Sequence, residues 1–303
     1  MWVITHTNLP FSVGDVHLLF DGDILAYRAG FAAERRVYFD GRLPERGASF
    51  DSKKEALKNL PEEHIEWERE LQPVEHALEN CKSLIRNISN EMSLHFDARV
   101  SYICFLTGNS EVPNFRKEID PEYKANRKEE HKPTHLQAIQ DYILQYHQGY
   151  FTQGCEADDF FGHAAQDAKD NNQIPIIVSV DKDLKQIPGY HYNIGTRTLS
   201  FVDEAEARAV FWRQMLEGDK VDNITGINGI GKIKAARYIP IGLNDGECQR
   251  VVKEFYKKEF LDGWKEKFNA NCELLWIWKK IPDECPFKVE EEEDKESAAT
   301  SSL

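Results

Sequence analysis

Two short apolar runs end in paired acids: VHLLFDGD at 16–23 and IPIIVSVDKD at 174–183. A β-rich run that delivers carboxylates at its C-terminal end and then enters a helical segment restricts the chain to few architectures. In an open parallel α/β sheet such ends gather in one crevice. VSYICFLTG at 100–108 is a third run of this kind, ending at Gly108. Helical segments are expected through ILAYRAGFAAE, from Pro61 to about His95, and through LQAIQDYILQYHQGY. The alternation predicts an α/β fold with a mainly parallel central sheet flanked by helices.

The acids form clusters: Asp21/Asp23, Glu156/Asp158/Asp159, Asp181/Asp183 and Asp219/Asp222. On extended backbone, i and i+2 side chains share a side, so Asp181 with Asp183, and Asp21 with Asp23, are expected to point together. On a helix, Glu156 and Asp159 share a face with Asp158 beside them. Carboxylates this crowded stay ionised only among cations. Oxygen donors without an ordered His/Cys set favour Mg2+ or Mn2+ over zinc, and two-metal phosphodiester hydrolysis is the chemistry they suit. For any one pair, ordinary turn and helix-cap chemistry is the competing reading.

The net charge of −14 argues at first against a nucleic-acid binder. Its distribution removes the objection, because the nine clustered acids and the tail from Glu290 to Glu296 account for all of it. Bound metals would invert the sign of the site. No run approaches the length of a membrane helix, and the start MWVITHTNLPFSVGD lacks the basic and apolar regions of a secretory signal. Six cysteines without close pairing fit reduced thiols, so a cytoplasmic location without membrane partners is expected.

Two segments suit a polyanion. GDKVDNITGINGIGKIKAARYI at 218–239 reads as a helix–hairpin–helix, with Gly226, Gly229 and Gly231 between two short helical stretches and with Lys232 and Lys234 following. Such a turn offers backbone N–H groups to a duplex backbone rather than to base edges. NFRKEIDPEYKANRK at 114–128 interleaves Phe115 and Tyr123 with Arg116, Lys117, Lys124, Arg127 and Lys128. It suits stacking and phosphate contact over the acidic cleft; a charged surface loop would read the same way.

In order, LLFDGD, FRKEIDPEYKANR, GCEADD, SVDKDL and GDKVDNITGINGIGK resemble the 5′-nuclease family, the flap endonucleases and phage 5′–3′ exonucleases. The long helical insertion before the second strand looks most like the phage exonuclease branch. The resemblance implies a PIN-like core over 1–200 with the insertion at 50–97 and a helical arch at 113–135. It further implies a DNA-binding helix–hairpin–helix region over 201–288; the acidic, then Ser/Ala/Thr-rich composition of 289–303 predicts a disordered tail. Asp21, Glu156 and Asp158 would hold one Mg2+, and Asp158, Asp181, Asp183 and Asp222 a second, with Mn2+ as a substitute. Asp159 and Asp219 would be further or outer ligands, and Asp23 would orient the following helix.

By the same resemblance Lys124 and Arg127 would clamp the scissile phosphate, and Asp158 and Asp181 would be catalytic. Arg116, Lys117, Tyr123, Gly229, Gly231, Lys232 and Lys234 would meet nucleic acid, with a monovalent cation at the hairpin. Implied substrates are duplex DNA with 5′ ends or flaps and RNA/DNA hybrids, bound by a monomer, in phage replication or host DNA degradation. One departure is Asn109, which stands where the family commonly has an Asp. A structure-specific flap endonuclease, a metal-dependent ribonuclease or a catalytically weak DNA-end-binding protein are the other readings; the hairpin at 226–231 weighs against the ribonuclease.

Overall fold

In the computed structural model, residues 15–43, 47–108, 112–126 and 132–290 are described. The chain runs through β1 (Val16–Asp21), α1 (Gly22–Ala32), β2 (Glu34–Asp40), α2 (Lys53–Asn59), β3 (Ile65–Leu71), α3 (Val74–Phe96) and β4 (Val100–Thr107). There follow α4 (Arg116–Ile119), α5 (Leu136–Tyr146), β5 (Gly149–Thr152), α6 (Asp158–Asp170), β6 (Ile174–Ser179), β7 (Gly189–Asn193) and β8 (Thr198–Val202). The last elements are α7 (Glu204–Glu217), β9 (Gly218–Asp219), β10 (Ile224–Thr225), α8 (Lys232–Tyr238), α9 (Asp245–Phe260) and α10 (Trp264–Leu275).

Six strands form the central sheet in the order β5-β4-β1-β6-β7-β8, parallel except for the β7–β8 edge. Every residue of β1 is buried, as expected of a parallel strand covered on both faces. One apolar cluster packs Leu18, Phe20 and Val178 against α1, α3 and α5. Another packs Leu19, Ile103 and Ile177 against Phe160, Phe161 and Ala164 of α6. From β1 the chain builds outward through β4 and β5, then returns to β1's other side with β6. That reversal places the switch-point crevice at the carboxyl end of β1.

A third cluster, with Trp212, Tyr256 and Phe268 fully buried, joins α7, α9 and α10 into a helical body. The expected division at 200 falls inside β8, so the sheet continues to Val202. The expected tail also starts too early. Val289 is buried and exchanges backbone hydrogen bonds with the Asn269 amide at 2.7 and 2.9 Å. Residues 291–303 lie outside the described set.

Two expectations need correction. The helix expected from Pro61 begins only at Val74, and IEWEREL is β3, paired antiparallel with β2. Its charges at 66, 68 and 70 alternate with Ile65, Trp67 and Leu71, a period of two, and the β2 partner lies too far off in sequence to suggest it. In α3 the buried Ala77, Cys81, Ile85, Ile88 and Met92 keep the period of about 3.6. The region 50–97 is therefore two helices and a strand rather than a helical insertion.

In the hairpin region, residues 218–225 form a two-stranded ribbon with a turn, so within 218–239 the one helix is α8, downstream of the glycines. Short-range pairing of Gly218–Asp219 with Ile224–Thr225 wins because Gly226 fits flush against α7. A Cβ there would meet the backbone of Glu217 and Gly218 at 2.3 Å. Of the arch expected at 113–135, the described residues 113–126 and 132–135 hold only the one-turn α4, and 127–131 lie outside the described set. No described helix is long and apolar enough to cross a membrane.

Candidate active site

The carboxyl ends of β1, β4 and β6 and the start of α6 open into one cleft of about 850 Å3. Asp21 closes β1 and caps α1: its Oδ1 accepts from Ile24 N at 3.0 Å, and its Oδ2 accepts from the Ser179 hydroxyl at 2.7 Å. Asp23 accepts from the backbone N of Thr107 at 3.0 Å, tying α1 to the end of β4. Asp158 starts α6, and the Thr107 hydroxyl accepts from Ala157 N at 3.0 Å to position that turn.

After β6 the backbone does not stay extended. Asp183 opens a short 3-10 turn, and its N–H donates to Asp181 Oδ1 at 2.8 Å. The turn rather than strand alternation brings this pair to the cleft, because the Ser179 hydroxyl accepts from Asp181 N and bends the chain. Opposite, Asp219 Oδ1 accepts from Val221 N at 2.7 Å and holds the turn that carries Asp222.

Two ammonium groups stand among these acids. Lys124 pairs with Glu156 and reaches Asp222 at 3.7 Å. Its backbone sits at φ +60° and donates to the Asp222 carbonyl at 2.9 Å, a constrained conformation of the kind that collects at functional sites. Lys182 lies 3.3 Å from Asp219 and 3.7 Å from Asp183. Although it sits inside the Asp181–Asp183 motif, sequence reading gave it no role; its position between two acids was the available signal.

The acids divide electrostatically. Burial, with the charges of Asp23 and Asp181 adding, pushes Asp21 up to about 7 against its hydrogen bonds. Burial, then the charges of Asp21 and Asp181, lifts Asp158 far above the carboxylate range. Asp183 rises to about 7 for the same reasons, burial first and Asp181 second. Burial also raises Asp181, outweighing its bond from Asp183 N and the Lys182 charge. Burial opposes ionisation of Glu156 too, yet Lys124 and Arg116 overcome it and hold this carboxyl below its usual value.

Three expected site residues are committed to contacts within the protein. Asp159 is fully buried and grips Arg116 with both oxygens, at 2.6 and 2.7 Å. Arg116 also donates to the carbonyls of Leu274 and Trp276, each at 3.0 Å. Asp159 is thus committed to a buried ion pair instead of a metal, and Arg116 to holding α10 instead of a phosphate. The helix start tips Asp159 back under Glu156, whose N–H it accepts at 3.0 Å. Tyr123 is 3% exposed, and its hydroxyl lies 3.2 Å from both Glu156 and Asp222, so its ring cannot stack on a base.

Lys117 and Lys232 are exposed. Gly229 takes φ +71°, open to glycine at no steric cost, and its carbonyl accepts from Lys234 Nζ at 2.7 Å, closing the turn. Gly231 caps α8 from extended backbone. Asn109 and Arg127 lie outside the described residues.

Among the described residues, no three carboxylate, imidazole or thiolate groups converge tightly enough to hold an ion as they stand. The donor set nevertheless fits a divalent cation. It is all oxygen, four of its carboxyls are held above their usual range, and the buried Asp183 Oδ1 has no hydrogen-bond partner.

The fold and site define a class: an α/β protein whose sheet presents clustered carboxylates at its switch point, backed by a helical C-terminal body. Residues 69–211 match the family model for the 5′-3′ exonuclease N-terminal resolvase-like domain. The chain is 33% identical over 124 residues to an exonuclease of Escherichia phage T7, over 39% of this chain and 41% of that one. It is 27% identical over 237 residues to a 5′-3′ exonuclease of Mycoplasma pneumoniae, over 72% and 69%. It therefore spans less than half the length of the phage T7 relative. In fold it is similar to the T5 D15 protein co-crystallized with metal ions, with a TM-score of 0.52 and 15% identity over 86% of this chain and 88% of that one. Over these spans the chain is similar to 5′-3′ exonucleases of phage and bacteria.

Proposed function

We propose that this chain is a divalent-metal-dependent 5′–3′ exonuclease that hydrolyses DNA. The observation that carries the reading is the meeting of Asp21, Asp158 and Asp181 at the switch point, with carboxyls driven upward by burial and mutual charge. The family and the names of the relatives support the same activity. Asp21, Glu156 and Asp158 would hold one Mg2+, and Asp158, Asp181, Asp183 and Asp222 a second. Such ions supply Lewis acidity, neutralising charge on a phosphodiester and making water a stronger nucleophile at neutral pH.

The chain's own residues do the rest. Lys124, swung from Glu156, contacts the scissile phosphate and balances charge gained in the transition state. Ser179 and Thr107 fix the carboxylates through the bonds described above. The glycine turn and Lys232 hold the duplex backbone without reading its sequence. Substrates are duplex DNA with 5′ ends, 5′ flaps and RNA primers in RNA/DNA hybrids, bound by a monomer.

The test is digestion of a 5′-labelled duplex with Mg2+ by the Asp181→Asn/Asp183→Asn double variant. The expected result is loss of cleavage with duplex binding retained; undiminished cleavage would overturn the assignment.

A further inference from the structure

The β2–β3 ribbon stands apart from the central sheet. Its register pairs Glu34 with Leu71, Arg36 with Arg69 and Tyr38 with Trp67. Strand alternation puts all six of these side chains on one face, while Val37 on the other is buried. On the first face Trp67 is 49% and Leu71 47% exposed. The Arg36 guanidinium lies over the Trp67 ring at 4.8 Å, and among the described residues no carboxylate pairs with it. Arg69, by contrast, pairs with Glu34 at 3.4 Å.

This face begins at the lip of the acidic cleft. Arg69 donates to the Thr134 hydroxyl at 3.1 Å, and Glu34 accepts from the Thr134 backbone. Thr134, with Lys132 and Pro133, lines the cleft itself. Four residue steps take the ribbon from the Glu34–Leu71 rung to the Tyr38–Trp67 rung, about 13 Å. An exposed aromatic ring, a guanidinium with no carboxylate partner among the described residues and a continuous path to the cleft therefore share one surface.

We propose that this face is a binding site for single-stranded nucleic acid leading out of the cleft, with a base stacked on Trp67 and a phosphate on Arg36. The inference rests on the nuclease reading for the direction of the strand. The chemistry is sequence-tolerant, because every base offers a flat face to the indole and the guanidinium meets only backbone charge.

The test compares wild type with Trp67→Ala, Trp67→Phe and Arg36→Ala on Mg2+-dependent cleavage of duplexes with no flap or with a 5′ flap of about ten nucleotides. Trp67→Ala should raise KM about tenfold on the flapped duplex, leave kcat unchanged and leave the unflapped duplex unaffected. Trp67→Phe should retain most of the affinity, and Arg36→Ala should flatten the salt dependence. Equal KM for wild type and Trp67→Ala on the flap, or equal loss on both substrates, overturns the ribbon site. Anisotropy with a fluorescent oligothymidylate is measured alongside. If wild type cleaves neither duplex, the nuclease reading fails, and the oligonucleotide Kd decides the ribbon: weaker binding by Trp67→Ala supports it and unchanged binding overturns it.

Discussion

Asp21, Asp158 and Asp181 meet with burial and one another's charge raising all three carboxyls, whereas Glu156, beside them, is held low by Lys124 and Arg116. Both groups occupy one cleft and carry one kind of side chain. The difference is the source of positive charge. Glu156 receives enough of it from the chain to stay low; the other three do not, and a divalent cation is the ligand their oxygens suit. The contrast is sharpest between neighbours. Asp158 faces the cleft acids, while Asp159 is closed in an ion pair with Arg116.

The largest expected effect is on catalysis. Asp158→Asn should lower kcat by roughly 10²–10³, the scale for removing one group that stabilises transition-state charge. Lys124→Ala should lower kcat to a similar degree while leaving duplex affinity nearly intact. Equal loss of both would make Lys124 a general phosphate contact, and steady-state kinetics with a binding isotherm separates the two.

Next in size is stability. Asp159→Asn should cost about 3–5 kcal/mol in urea unfolding, because Arg116 is left charged and buried. Asp158→Asn should leave metal-free stability unchanged or raise it, since a repelling buried carboxyl is removed. Reversed outcomes would dissolve the distinction between the neighbours.

Smaller is the pH effect. Asp21 and Asp183 titrate near 7 in the fold and near 3.9 in an unfolded chain. Between those values the folded state binds more protons at these two groups, so their contribution to metal-free stability is largest below about pH 4 and is lost as pH rises toward 7. In chelator, wild type should lose Tm relative to an Asp21→Asn/Asp183→Asn variant as pH rises from about 4 to 7; parallel curves would contradict it. The smallest effect expected is for Lys232→Ala, which should reduce the slope of log affinity against log salt by about one without changing kcat.

Much of this was legible in the residues. The three strands ending at the cleft announced themselves as short apolar runs, and two of them carry their acids at or just past their ends. Asp159 and Arg116 were misread because sequence shows charge but not direction. A helix start can turn one carboxylate of a consecutive pair outward and the next into the core. The β2–β3 ribbon escaped because 24 residues separate Asp40 from Ile65, and pairing over that distance leaves no local signal beyond a short alternation. Lys182 escaped because its role depends on Asp219, which only the fold brings to it.

The central claim is that the cleft carboxylates around Asp158, and not Asp159 closed against Arg116, form the metal centre. Its most direct test is thermal unfolding at about pH 8 with Mn2+ at a hundredfold excess over Kd, for wild type, Asp158→Asn and Asp159→Asn. Wild type should gain roughly 5 °C; Asp159→Asn should start lower and gain the same, and Asp158→Asn should gain almost nothing. A full gain in Asp158→Asn, or its loss in Asp159→Asn alone, would contradict the account.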